Sequence, residues 1–346
     1  MNTPEFEALL DLSARVGADP LLVQGAGGNT SIKEAGTLWI KASGLWLAHA
    51  RQRDVMVPVD LDPLLEALGR DDPACEKAQQ FVIADKNPAG LRPSIETTVH
   101  ALMPQKIVVH VHCVETIAVA VQANAEAVAA GRLEGIAHAY VPYARPGLPL
   151  AREISKRLGD GVAVLILGNH GLVVAGETVA EAEALLNTVC ARMRAAPRQA
   201  QAPDKAALLR LAMNSDYALP DIEAVHAAAT DLESVKIGAG GSLYPDHVIF
   251  LGRGLTIAAP NDTAADIGTS HADPPPIIVF PGKGVLVRKD INAGALAMAR
   301  CFADVAARVP AGARLHYLSD AEKAELLGWD AEKYRQELNR AGQALQ

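Results

Sequence analysis

Apolar residues recur along the chain at two periods, one near 3.6 residues and one of 2. "TPEFEALLDLSARVGADPLLV" sets apolar residues at helical spacing behind Thr3-Pro4 and an acidic first turn, which predicts an N-terminal helix capped at Thr3. A glycine cluster follows. In "GAGGNTSIKEAGTLWIKASG" two short alternating runs meet at Glu34–Gly36, which predicts a hairpin. "DVMVPVDLD" reads as another strand, and residues 61–90 as helix and linker. "SIETTVHALM" predicts a helix starting near Ser94, and "KIVVHVHC" a strand. "VETIAVAVQANAEAVAAG" reads as one Ala-rich helix, "AYVPYARPGLP" as a loop or short strand, and "PLAREISKRLG" as a helix. "GVAVLILGNHGLVVAG" is strand, tight turn, strand, and the amphipathic helix after it starts at Thr178 as N-cap. Strands and helices mixed with hairpins predict an α/β fold with much antiparallel pairing.

Residues 196–206, within "AAPRQAQAPDKA", are Pro, Ala and polar, and read as a linker between a 1–195 domain and a 207–346 α/β region. The stretch 277–309 repeats the pattern of 164–193: apolar strand, glycine-flanked turn, strand, long helix. Gly284 then falls on Gly171, and Lys283 stands where His170 does. Such units are common, so a degenerate partial repeat and a coincidence stand level. A true repeat with Lys283 in that place should bind no metal there.

Composition narrows the function. Half of the 346 residues are hydrophobic, enough for a packed core. Aromatics make up 4% and the formal net charge is −8, with no Lys/Arg-rich run, so neither nucleic acid nor an anionic membrane is an expected partner. Four dispersed cysteines with no C-x-x-C fit reduced thiols of a cytoplasmic protein. "MNTPEFEALL" has no basic region followed by an apolar one and reads as no signal peptide. The longest apolar runs are strand-sized, far below the ~20 residues of a membrane span. No G-x-G-x-x-G follows a strand, so no NAD site is expected.

The chemistry starts at His110 and His112. Residues two apart on a strand share a face, so the two imidazoles project together and make half a metal site. A bare His-x-His is more often an incidental polar face. His170, in the glycine-flanked turn "LGNHGLVV", offers a third nitrogen at a sheet end. In "RPSIETTVH", Glu96 and His100 lie four apart on one helix face, and spacing does not choose between them.

Four stretches in order, "GAGGNTS", "KASG", "PSIETTVH…HVH" and "NHGLVV.G.T..EA", resemble the class II aldolase/adducin family over roughly residues 5–195. That family includes the L-fuculose- and L-rhamnulose-1-phosphate aldolases. The tail, with "GSLYPDHVIFLG" and 277–309, is similar to the aldolase half of fused rhamnulose-phosphate aldolase/dehydrogenase proteins. The resemblance implies a three-layer α/β/α fold with a largely antiparallel central sheet. It implies that His110, His112 and His170 bind Zn2+ or another divalent metal. Glu96 becomes the proton-transferring carboxylate, and His100 a helix support. The implied activity is a lyase cleaving or forming a C–C bond in a sugar phosphate or related hydroxy-keto compound, through an enediolate held on the zinc. A homo-oligomer, a tetramer, is implied as well.

The same resemblance turns ordinary turn residues into an anion pocket: Gly27, Gly28 and Gly44 for backbone amides, and Asn29, Ser43 and Ser94 for side-chain donors. Two departures stand out. The fuculose-phosphate aldolases have a second serine before the glutamate, where this chain has Ile95. Their proton-donating tyrosine has Tyr140 and Tyr143 as its candidates here, with His138 a third group in that stretch. Residues 205–346 either cover the active site, with His247 in "YPDHV" reaching it, or build an interface. Decarboxylase, epimerase and dehydratase chemistry fit the same parts, and an adducin-like binding protein is the non-catalytic alternative.

Overall fold

The structure is a computed structural model that describes residues 3–329. The chain divides into two compact units. One comprises residues up to 120 together with 124–194, and the other 121–123 together with 195 onward.

The first unit is built on seven strands: β1 (Asn29–Glu34), β2 (Thr37–Lys41), β3 (Met56–Asp60), β4 (Ile107–Val111), β5 (His138–Val141), β6 (Val164–Leu167) and β7 (Gly171–Gly176). Their order is β3-β2-β1-β4-β7-β6-β5, and every pairing is antiparallel except β5 with β6. The hairpin between β1 and β2 turns where Ala35 and Gly36 both take positive φ, 48° and 73°. Helices α1 (Pro4–Ala18), α2 (Leu61–Gly69), α3 (Thr97–Leu102), α4 (Val114–Ala120), α5 (Ala125–Arg132), α6 (Leu148–Ser155) and α7 (Val179–Met193) cover both faces. Thr3 and Thr178 cap α1 and α7 as the sequence predicts, each accepting a backbone N–H from the first turn.

Strand alternation sorts the core into layers. Val109, Val111, Leu172 and Val174 pack with Leu9, Leu12, Leu186 and Val189 on the α1/α7 face. Val108, Val173 and Leu165 pack with Val99, Leu150 and Ile154 on the α3/α6 face. His110 alternates with Val109 and Val111, so it projects on the α3/α6 face. The fold is thus three-layer α/β/α around a largely antiparallel sheet.

Two elements differ from the sequence reading. The single Ala-rich helix is two, because residues 121–123 leave the helical path and Gln122 bridges Leu315. The helix at Ser94 begins only at Thr97, which leaves Glu96 ahead of it at φ −100°, ψ 17°.

The second unit holds a four-stranded sheet of β8 (Tyr217–Ala218), β9 (Thr256–Ile257), β10 (Ile277–Phe280) and β11 (Gly284–Arg288), in the order β8-β11-β10-β9. Its directions match those of β4-β7-β6-β5, including one parallel pair at the same edge. The turns match as well: Lys283 N–H bonds to the Phe280 carbonyl as His170 N–H bonds to the Leu167 carbonyl. The unit also holds α8 (Lys205–Leu211), α9 (Ala227–Thr230), α10 (Leu232–Ala239), α11 (Pro245–Leu251), α12 (Ala264–Ser270), α13 (Ala293–Arg308) and α14 (Asp320–Gly328), of which α8, α9 and α10 pack on the sheet and α14 packs on α11. Residues 196–204 have no regular structure, yet they are stitched to this unit. The Arg198 guanidinium binds Asp231 and the carbonyls of Ala306 and Val309.

His247 lies fully buried in this second core, its ring against Tyr244 and Phe302. Burial, then the Lys323 charge, lowers its pKa to about 3. His100 of α3 is likewise held at about 3, by burial first. The unfolded chain therefore takes up protons that the folded chain refuses. Stability is complete above pH ~6.5 and falls as pH drops towards 3, at about 1.4 kcal/mol per pH unit for each histidine. Urea unfolding at about pH 7.5 and about pH 5 checks this, with His247→Phe expected to flatten the slope. An unchanged slope in that variant would contradict it.

Candidate metal centre

Three imidazoles meet at one end of the larger sheet. His110 comes from the end of β4, His112 from just beyond it, and His170 from the β6–β7 turn, where Asn169 at φ 52° makes the reversal. All three are buried, and one ring nitrogen from each lies within 4.8 Å of the others. The ring centroids are 4.9 to 5.3 Å apart and the rings are tilted or edge-on, so they converge on a point rather than stack.

Close backbone approach makes room for them. A Cβ on Gly27 would stand 2.8 Å from His112 Nδ1, and one on Gly171 would stand 2.6 Å from the Val111 carbonyl oxygen and 3.4 Å from His110 Cε1. Only glycine fits either position with the rings in place.

The donor set suits a divalent ion. His110 Nδ1 lies 3.0 Å from the Leu172 carbonyl oxygen, which only accepts, so the ring proton sits on Nδ1 and the Nε2 lone pair faces the cluster. Three imidazole nitrogens from a rigid sheet end, with further positions left open, are what a catalytic zinc takes.

Glu96 borders this cluster. Its Oε2 is 3.3 Å from His110 Nε2 and its Oε1 is 3.4 Å from His170 Nε2. Burial alone would raise its pKa. Positive charge on the His110, His170 and His112 rings, when they are protonated, and the Asn29 hydrogen bond outweigh that and hold it at about 2. Asn29 Nδ2 donates to Glu96 Oε2 at 2.8 Å and to Ser94 Oγ at 3.1 Å. Asn29 opens β1 directly opposite His110, so the strand register itself brings this amide to the carboxylate.

The suggested anion residues fall in two groups. Asn29 and Ser94 are buried and already bonded to each other. Ser43 and Gly44 are half-buried beside them, because Ser43 N–H bonds to the Arg92 carbonyl and Ala42 bridges Pro93. Gly28 takes φ 60° at the turn into β1. Lys41, in the same "KASG" stretch, escaped the sequence reading. It is buried, and its ammonium donates to the carbonyls of Ala26 at 2.8 Å and Gly28 at 3.1 Å. A lysine on an alternating strand reads as solvated, and only the fold shows its charge under the glycine turn.

The tyrosines are placed differently from one another. Tyr140 packs into the α1/α7 core, the face opposite His110. A Cβ on Gly168 would stand 2.7 Å from its hydroxyl and 3.0 Å from Tyr143 N, so both border the base of the His170 turn. His138 bonds to the Ile136 carbonyl beside it. His100 bonds to Ser31 and Asn29, which makes it a neighbour of the carboxylate's anchor rather than a member of the three-histidine cluster.

The family model for the class II aldolase and adducin N-terminal domain matches residues 7–195. The chain belongs to this family. A Bacillus subtilis (strain 168) protein named "Uncharacterized oxidoreductase YuxG" is 32% identical over 191 residues, 50% of this chain and 26% of that one. The chain thus spans about a quarter of that relative's length. The N-terminal class II aldolase domain of a conserved Thermoplasma acidophilum protein is 27% identical, over 56% of this chain and 93% of that one, with a TM-score of 0.49. An aldolase II superfamily protein from Pseudomonas syringae is 23% identical, over 56% and 74%, with a TM-score of 0.42.

Proposed function

We propose that the first unit is a zinc-dependent lyase that makes or breaks a C–C bond beside a carbonyl, in a sugar phosphate or related hydroxy-keto compound. One observation carries the reading: a buried carboxylate, Glu96, is fixed against three converging imidazoles. Bound by His110, His112 and His170, a divalent ion would supply positive charge to a substrate carbonyl oxygen, where negative charge develops as the C–C bond breaks. Glu96 takes a proton from the neighbouring substrate atom, or returns one, while Asn29 keeps its Oε2 in place. Ser43 and the backbone of Gly44 and Gly28 grip the substrate's anionic group, and Lys41 adds positive charge beneath that turn. Tyr140 packs on the face opposite His110, which leaves Tyr143 as the tyrosine to hand on a proton. The acting form is a cytoplasmic homo-oligomer, a tetramer as in the family it resembles.

A purely binding role fits less well. Burying a carboxylate is costly unless it is paired and hydrogen-bonded, and a scaffold gains nothing from holding one against three imidazoles. The test needs no knowledge of the acceptor aldehyde. Zinc-loaded protein should exchange the carbon-bound hydrogen of dihydroxyacetone phosphate in D2O, read by proton NMR. No exchange with any ketose phosphate or hydroxy-keto acid, on zinc-loaded protein, would sink the lyase reading.

A further inference from the structure

The alternation that turns His110 and His112 to one face turns Val109, Val111 and Cys113 to the other, and Cys113 is buried in the α1/α7 core. Its Sγ lies 3.7 Å from the Sγ of Cys190, a residue of α7 that stands 77 positions further along the chain. Both thiols are free, and both belong to the first unit. Cys190 is half-buried and is the member of the pair that solvent reaches. Cys75 packs in a different core, and Cys301 meets Tyr244 in the second unit.

A disulfide needs its sulfurs about 2.0 Å apart, so joining this pair draws them together. Cys190 gives little, because α7 is anchored on either side of it by buried Leu186, Val189 and Met193. Beyond Cys113 the backbone ties are short. The Val114 N–H meets the Leu21 carbonyl at 2.9 Å, and the Ile117 N–H meets the Cys113 carbonyl at 2.8 Å. On the other side, the Gln24 amide reaches the His112 carbonyl at 3.4 Å, the longest of the three. The displacement therefore passes to His112. Its ring has no slack to absorb it, since even a Cβ on Gly27 would stand 2.8 Å from Nδ1.

We propose that Cys113 and Cys190 are a redox modification site: a hydroperoxide joins them as a disulfide, and the closing bond draws His112 out of line with His110 and His170 and weakens their hold on a metal ion. The Cys190 thiol takes the first oxygen, the O–O bond breaks, and one water leaves (one alcohol, for an alkyl hydroperoxide). The Cys113 sulfur then attacks the Cys190 sulfenic acid. The S–S bond forms as the S–O bond breaks, and a second molecule of water leaves. The two thiols give up two electrons and two protons, and the peroxide takes them. A reductant reverses the change. The proposal rests on the three histidines binding a metal, and not on the lyase chemistry.

The test treats the full chain with hydrogen peroxide, removes the peroxide, and compares wild type with Cys190→Ala, using circular dichroism as the folding control. The first readout needs neither metal nor turnover. Thiols titrated in denaturant should fall from four to two in the wild type, and a non-reducing digest should link the peptides that carry Cys113 and Cys190. Cys190→Ala should form no such link. The second readout is Co2+ affinity, followed in the visible spectrum. In treated wild type it should fall ~10–100-fold, the scale of lost support around a metal ligand. It should return once a phosphine reductant has been applied and removed, and treated Cys190→Ala should keep the untreated value. Should Cys190→Ala not fold, Cys190→Ser takes its place with the same expectations. Four surviving thiols, or a Cys190 carried to sulfinic acid with no link, would overturn the proposal. So would a linked protein with unchanged Co2+ affinity, or an equal loss of affinity in the treated variant. A wild type that forms the link and binds no Co2+ before or after treatment would sink the metal centre and the control of it together. Failure of the link in a protein that binds Co2+ would sink this proposal and leave the metal centre standing.

Discussion

A Glu96→Gln variant is expected to keep its metal and to lose deuterium exchange by ~10²–10⁴-fold, the range for removing a positioned general acid or base. Glutamine has nearly the same shape and keeps an oxygen for the Asn29 amide, so the anchor survives. The lost property is the negative charge that accepts a proton beside the cluster. Because the three imidazoles can hold the ion without it, metal content should match wild type by elemental mass spectrometry. Loss of metal together with activity would make Glu96 a ligand first, and the proton-transfer role would fall. Full exchange in the variant would move the base to another residue.

His170→Ala should have the opposite signature. It removes one of three nitrogens and leaves His110 and His112 on their strand, two ligands where zinc usually has at least three from the protein. Bound metal should fall to near zero after dialysis against a weak chelator, while the sheet pairing of β6 with β7 remains. Measured by metal titration, an affinity equal to wild type would mean that any bound ion sits elsewhere.

Much of this was legible locally. Thr3 and Thr178 announce their helices because a cap is a matter of one hydroxyl and the next turn. The face shared by His110 and His112 follows from strand alternation alone. His170 stood out because glycines flank it, and the close approach of Gly171 to Val111 shows why. What the sequence hid is non-local. The break at 121–123 comes from pairing with 314–316, while the apolar pattern runs straight through it. The face taken by Tyr140 depends on the register of β5 on β6, which no local pattern reports. Spacing left Glu96 and His100 as equals. The register that sets Asn29 opposite His110 separates them, giving one the cluster and the other the amide. Lys41 looked like any strand lysine until the glycine turn was folded over it.

The second unit gives the same lesson in reverse. Its sheet has the order and directions of four of the seven strands of the larger sheet, and its turn places Lys283 where the first unit has His170. Among the described residues, the group of three or more metal-ligating side chains is the one in the first unit.

The central claim is that His110, His112 and His170 hold a metal ion. Its most direct test is the metal content of purified protein by elemental mass spectrometry, with a His110→Ala/His112→Ala double variant as control. The account predicts about one zinc or similar divalent ion per chain, lost in the double variant. A protein that binds no metal, and takes up none when zinc is added, would contradict it and leave a binding scaffold as the better reading.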